Sequence, residues 1–142
     1  MLRILKNNDN IITVTLTEKS TLPNPIYLFK FINQTSNVAY WFISEDTSLF
    51  KQRYNQFQLL ETVDINPIDT LNGIIELGLE GRYDYEIYQT TLNNLDGLDS
   101  AEDAISFIDK TVEVGIVDVV FAAEEYAKYE VQSDTNIVYQ PE

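Results

Sequence analysis

Ile12-Thr13-Val14-Thr15-Leu16-Thr17 places an apolar side chain at every second position and a threonine at each position between. Successive side chains of an extended chain point to opposite faces, so this stretch has one greasy face and one hydroxylated face. Its β-branched residues suit a pleated, half-buried surface. It reads as a strand that covers a core on one side only.

The same period recurs on either side of it. Leu2, Ile4 and Leu5 read as a first short strand, followed by a turn over Asn7 to Asn10. Leu22-Pro23-Asn24-Pro25 is a connection, because its prolines cannot donate ladder hydrogen bonds. Ile26 to Ile32 and Val38 to Ile43 flank the polar turn Gln34-Thr35-Ser36-Asn37 and read as an antiparallel hairpin. Ser44 to Tyr54 fits a helical turn or an irregular loop. Phe57 to Glu61 is a strand, Asp64 to Gly73 a turn region ending in Asn72-Gly73, and Ile74, Ile75, Leu77 and Leu79 a further strand. Tyr83 to Tyr88 alternates again. Thr91 to Asp99 is a polar loop, and Ser100 to Asp109 a short helix with Ser100 and Asp103 as its cap pair. Val112 to Val120 is a long β-branched strand in which Gly115 marks a bulge or bend. Ala122 to Lys128 is a short helix or a continued strand, and Ile137-Val138-Tyr139 a terminal strand or extended arm. Seven to nine short strands with one or two short helices predict an all-β, immunoglobulin-like β-sandwich. One domain spans residues 1–142, with Met1 to Lys6 and Ser133 to Glu142 as arms able to add a strand to a neighbour.

Composition narrows the chemistry. The 142 residues contain no cysteine and no histidine. A disulfide framework is excluded, and so are thiolate nucleophiles and imidazole bases. No cofactor, metal site or catalytic residue is assigned. The net charge is −14, which repels phosphate backbones and anionic lipid, so neither nucleic acid nor a membrane surface is the expected partner. No apolar stretch approaches the ~20 residues of a membrane span. No signal peptide is read at the N-terminus, so the chain is expected to stay in the cell that makes it or to leave by lysis or within a particle. From Glu80 onward there are 15 acids and 3 bases, a net of −12. That half is either a solvated face or a surface aimed at a basic partner.

Several constellations each carry two readings. Leu77-Gly78-Leu79-Glu80-Gly81-Arg82-Tyr83-Asp84-Tyr85 resembles the tyrosine corner of sandwich domains, with Tyr83 or Tyr85 in the corner, or else two ordinary cross-strand tyrosines. Trp41, the single tryptophan, is read as a core residue facing the opposite sheet, with an exposed interface anchor as the alternative. Asn94-Leu95-Asp96-Gly97 fits an EF-hand loop poorly, because leucine would fall at the first ligand position. Asp96, Asp99, Glu102 and Asp103 would make a looser calcium site, or simply an acidic helix start that complements the dipole. The neighbours Glu45-Asp46, Glu102-Asp103 and Glu124-Glu125 do not have the setting of a glycosidase pair.

Taken in order, Ile12 to Lys19, Asn24 to Phe31, Arg53 to Phe57, Gly81 to Tyr88 and Val112 to Gly115 carry a resemblance. The chain from about residue 11 to residue 120 resembles small virion proteins of tailed bacteriophages of Bacteroidetes, including crAss-like phages. The resemblance marks strands and no site. It implies a non-enzymatic structural protein located in the virion, most readily an auxiliary or decoration protein that docks on the capsid shell. The partners implied are the major capsid protein or other virion structural proteins, with homo-oligomers left open. A tail, connector or fibre-attachment protein is the alternative within the same particle. A carbohydrate-binding module is the alternative from another class and needs Trp41 or several tyrosines on one flat exposed patch.

Overall fold

A computed structural model describes residues 2–23, 25–62 and 68–121 of the chain. Eight strands form among them: β1 (Leu2–Lys6), β2 (Asn8–Val14), β3 (Tyr27–Asn33), β4 (Ala39–Ile43), β5 (Asn55–Glu61), β6 (Ile74–Ile75), β7 (Gly81–Thr90) and β8 (Ile108–Phe121). They build a five-stranded sheet in the order β1-β8-β7-β3-β4 and a three-stranded sheet in the order β2-β5-β6. β1 runs parallel to β8 and β6 parallel to β5; the other neighbours are antiparallel. This is the expected immunoglobulin-like sandwich, with short 3-10 helices at Thr17–Lys19, Thr70–Asn72 and Ala101–Phe107.

The burial alternation over Ile12 to Thr17 holds, but the strand ends at Val14 and Thr17 opens a 3-10 helix. Ile12, Val14 and Leu16 are buried, while Thr13 and Thr17 are exposed. The core between the sheets is aromatic. Phe57 on β5 meets Phe29 on β3 edge-on at 4.9 Å and Tyr27 at 5.9 Å. Phe29 stacks on Phe42 at 4.7 Å, and Phe31 meets Phe42 edge-on at 5.1 Å. Such pairs add roughly 0.5–1.5 kcal/mol each beyond the area they bury.

The tyrosine corner falls on Tyr83, which is fully buried and donates its hydroxyl to the Leu79 carbonyl at 2.5 Å. Burial raises the Tyr83 pKa, so the phenol keeps the proton that this bond requires. Tyr85 instead lies across Gly115, its register partner on β8. A Cβ at Gly115 would stand 2.6 Å from the Tyr85 ring.

Several local expectations are corrected. Gly115 is a site of close approach and not a bulge. The bulges fall at Val112 and Asp109, which the β7–β8 register passes over. The turn expected over Asn7 to Asn10 contracts to Asn7, left-handed at φ 59, and Asn8 already opens β2. Leu2–Lys6 is no arm, since it pairs with β8 inside the domain. The strand expected to reach Leu79 stops at Ile75; Leu77 is buried outside any strand and Leu79 is 59% exposed. The Ser100–Asp109 helix is a 3-10 helix that ends at Phe107. The segments expected over residues 122–128, 133–142 and 137–139 lie outside the described residues, as do Glu124-Glu125 and residues 64–67.

Trp41 is also corrected: it faces away from the opposite sheet. It packs in a second cluster, with Leu28, Ile43, Tyr88, Ala101 and Ala104, on the outer side of the five-stranded sheet. Residues 91–107 form its lid. Leu92, Leu95, Leu98, Ala101 and Ala104 recur every third residue and all join this cluster. Ala101 and Ala104 share a face because they sit i and i+3 on the 3-10 helix, and Leu92, Leu95 and Leu98 reach the cluster from the turns before it. β3 therefore buries Tyr27, Leu28 and Phe29 in succession, with both faces covered at that end.

Phe57→Ala is expected to remove about 3–5 kcal/mol of unfolding free energy, and Tyr83→Phe about 0.5–1.5 kcal/mol. Both would appear as lowered urea midpoints with little change of slope. A Phe57→Ala loss below about 1 kcal/mol would show that the sheets do not depend on this contact.

Candidate functional site

Three loops meet at one pole of the sandwich. They connect β2 to β3 (residues 15–26), β4 to β5 (residues 44–54) and β7 to β8 (residues 91–107). The first two cross from one sheet to the other, and the third joins two neighbours of the five-stranded sheet. Between them opens a cavity of about 530 Å³. Its apolar wall includes Leu22, Pro23, Ile26, Ile43, Leu71 and Leu95, and Phe57 and Tyr27 bring the core to its floor. Glu45, Asp46 and Lys51 are its charged residues.

The loops are fastened from within by buried amides. Asn55 is 1% exposed, and both ends of its side chain are occupied. Its Oδ1 accepts from the Leu16 and Thr17 amides at 2.7 and 3.3 Å. Its Nδ2 donates to Asp46 Oδ2 at 2.6 Å and to Thr17 Oγ1 at 3.1 Å. One side chain thus ties the end of the β2 arm to the β4–β5 loop. Gln89, fully buried on β7, ties the β2–β3 loop to the start of β8. Its Nε2 donates to Thr21 Oγ1 and Asp109 Oδ2 at 2.7 and 2.6 Å, and its Oε1 accepts from the Thr21 amide at 3.0 Å. The bulge at Asp109 presents that carboxylate to Gln89.

Asp46 is the electrostatic knot. Burial pushes its carboxyl upward, but hydrogen bonds from Asn55, from the Ser48 amide and hydroxyl, and from the Gln56 amide outweigh it, and the pKa falls below its ordinary value. Tyr27 shifts the other way: burial raises it, the Ser20 hydroxyl at 2.6 Å opposes, and the Asp46 charge adds to the rise.

The lining hydroxyls serve structure. Ser20 Oγ donates to the Leu16 carbonyl at 2.9 Å, Ser44 Oγ donates to the Gln58 carbonyl at 2.7 Å, and Thr17 Oγ1 accepts from Asn55. Among the described residues no group of three or more Asp or Glu gathers to hold a metal. The candidate calcium residues are placed by capping: Asp103 Oδ2 accepts from the Asp99 and Ser100 amides at 2.8 and 3.3 Å, which makes this an acidic helix start.

Among the described residues of the second half, three acids are held by neighbours. Glu113 accepts from Lys19 at 2.7 Å and from the Tyr85 hydroxyl at 2.8 Å, Asp118 faces Arg82 at 3.4 Å, and Asp84 accepts from Gln34 at 2.9 Å. Trp41 offers no sugar platform. It is half-buried, Tyr88 stacks on it at 6.0 Å, and the Lys30 ammonium stands 5.1 Å from its ring centre. Tyr27, Tyr83, Tyr85 and Tyr88 are buried and Tyr40 half-buried, and the half-buried Tyr54 is tilted 57° to the exposed Phe50, so these two rings do not make a flat platform.

Asn55, Gln89 and the period-three leucines went unread as site residues in the sequence. Polar amides at strand ends have no periodic signature, whereas the spacing of Leu92, Leu95 and Leu98 was available as a signal.

The depressed Asp46 pKa has a pH consequence of definite sign. Its contribution to stability is complete above the ordinary carboxyl pKa and is lost as pH falls below about 4. The difference in unfolding free energy between the parent and Asp46→Asn is expected to be largest at pH 6–7 and to shrink toward pH 3 in urea titrations; a difference independent of pH would contradict the assignment. Comparison with known proteins found no family model, no curated protein and no solved structure that this chain matches.

Proposed function

We propose that this chain is a non-catalytic adhesion module, a structural protein of a tailed bacteriophage particle that docks on the capsid shell and reinforces it. The observation that carries the reading is the loop pole. Its loops are held by buried amides, and it projects apolar side chains outward. Leu49 is 85% exposed and Phe50 57% exposed. They sit on a turn closed by the Arg53 and Tyr54 amides, which donate to the Phe50 carbonyl at 2.8 and 3.1 Å. Phe50 lies 6.4 Å from Tyr54.

A large apolar side chain left in water on a fastened loop loses little conformational entropy when a partner covers it. Aromatic and aliphatic anchors of this kind dominate the energy of protein interfaces. The reactive inventory points the same way: with no histidine or cysteine in the chain, and with the lining hydroxyls and Asp46 engaged in structure, the pole is equipped for contact. The resemblance of the strand segments to small phage virion proteins supplies the setting. On a shell, many copies would multiply a modest affinity per site.

Two measurements test this. Counting the chain in purified particles by quantitative mass spectrometry is expected to give hundreds of copies; about a dozen would place it at a symmetric connector instead, and none would refute the virion reading. Leu49→Ser with Phe50→Ser is expected to weaken co-sedimentation with particles at least roughly tenfold while leaving the thermal midpoint unchanged. Undiminished binding would remove the loop pole as the docking surface.

A further inference from the structure

The loop-end cavity does not end at its own rim. A second hollow of about 310 Å³ adjoins it on the side of the three-stranded sheet. Ser44, Glu45 and Asn72 line both, so the two form one groove with a shared saddle. The saddle exists because the outer edge of β5 is completed by two short pieces. Asp46 bridges Phe57 at one end, and Ile74 and Ile75 pair with Leu60 and Glu61 at the other. Gly73 sits at the seam with φ 72, and a Cβ there would stand 2.6 Å from the Gln58 carbonyl oxygen. Only glycine keeps the seam this close.

The two hollows differ in chemistry. The larger is apolar in its depth. The smaller has Asp9 and Glu45 as its charged residues and no cation in its lining. Both carboxylates are exposed, and Asp9 Oδ2 accepts from the Gln58 side-chain Nε2 at 2.6 Å. Asp46 and Lys51 line the larger hollow only, and Glu45 lines both. We infer that the groove seats an extended peptide segment of a protein partner that carries an apolar side chain for the larger hollow and, close by in sequence, a lysine or arginine for the carboxylates of the smaller. An extended chain places residues two apart on one face, so one segment can address both hollows. The acidic end selects the sign of the flanking charge. The inference rests on the adhesion reading and names the chemistry of what is grasped.

The test uses the full chain, nitrogen-15 labelled, titrated with capped octapeptides. Each carries one leucine or phenylalanine and one arginine at a varied spacing, with control peptides in which arginine becomes glutamate or the apolar residue becomes serine. Saturable shifts of the Ser44, Asn72, Gly73 and Leu95 amides are expected with sub-millimolar Kd for the best spacing, and either control is expected to bind at least about tenfold more weakly. Glu45→Lys with Asp9→Lys should raise that Kd by at least about tenfold at an unchanged thermal midpoint, and Glu45→Gln, which keeps the side-chain shape, by a smaller factor. No saturable shift at these amides, or equal affinity for the arginine and glutamate peptides, overturns the inference. Co-sedimentation separates the two claims. A Glu45→Lys, Asp9→Lys chain that still binds particles fully refutes the groove and leaves adhesion standing. A parent chain that binds no particle refutes adhesion, while the peptide titration still decides the groove.

Discussion

Phe57 is where the two sheets become one structure. It is the ring from the three-stranded sheet that enters the aromatic row of the other, edge-on to Phe29 and to Tyr27. Each sheet has one face that water cannot be allowed to reach, and neither is stable until the other covers it. The same ring lines the floor of the loop-end cavity, and its backbone bridges Asp46. Packing between the sheets and the shape of the candidate site are therefore coupled through one residue. The depth of the cavity is set by the core and not by the loops alone.

The two poles solve opposite problems. At the pole away from the loops, charge is buried and consumed. Glu61 is fully buried and accepts from the Asn7 and Leu77 amides at 2.8 and 2.7 Å. Lys6, 5% exposed, donates to the Leu77 and Gly78 carbonyls at 2.9 and 2.7 Å. Tyr40 accepts from the Gly78 amide, and Tyr83 bonds the Leu79 carbonyl. Residues 77–79, which belong to no strand, are thus pinned by four different elements. A buried charge is tolerable only where such partners compensate its lost hydration. That pole is closed. At the loop pole the buried groups are neutral amides, Asn55 and Gln89, which fasten backbone without leaving charge in the interior. Of the charges there, Asp46 is held by hydrogen bonds within its loop and Glu45 stays exposed.

The strands are legible in the sequence wherever one face is wet. Ile12 to Thr17 alternates because threonines meet solvent, and Tyr83 with Tyr85 alternates because Asp84 and Glu86 do. The tyrosine corner is legible too, since Leu79, Gly81 and Tyr83 follow its local geometry, although choosing between Tyr83 and Tyr85 needs to know which ring meets Gly115. Legibility fails where a third layer intervenes. Trp41 and Leu28 look like core residues of the main sandwich because nothing on their own strands announces the lid of residues 91–107. That lid hides its apolar residues at every third position among polar ones, a period that belongs neither to a strand nor to an α-helix. The site is harder still. Its cavity is an absence of side chains between three loops far apart in sequence, and the amides that shape it act across 39 residues from Asn55 to Leu16 and 68 from Gln89 to Thr21.

That distribution bears on what kind of work the molecule does. Catalysis needs reactive groups held near one another with their pKa values tuned to a proton transfer. Here the displaced pKa values belong to groups already engaged in structure: Asp46 lowered by the bonds that hold its loop, Tyr83 and Tyr27 raised by burial in the core. Adhesion needs instead a surface that does not move when touched, because every degree of freedom frozen on contact subtracts from affinity. The buried amides beneath the loop pole meet that requirement before any partner arrives. Leu49 and Phe50 are left in water, and on the adhesion reading proposed above a partner surface would cover them. On that proposal the fastened loop and the exposed anchors belong together, the first limiting the entropy lost on contact and the second supplying apolar area.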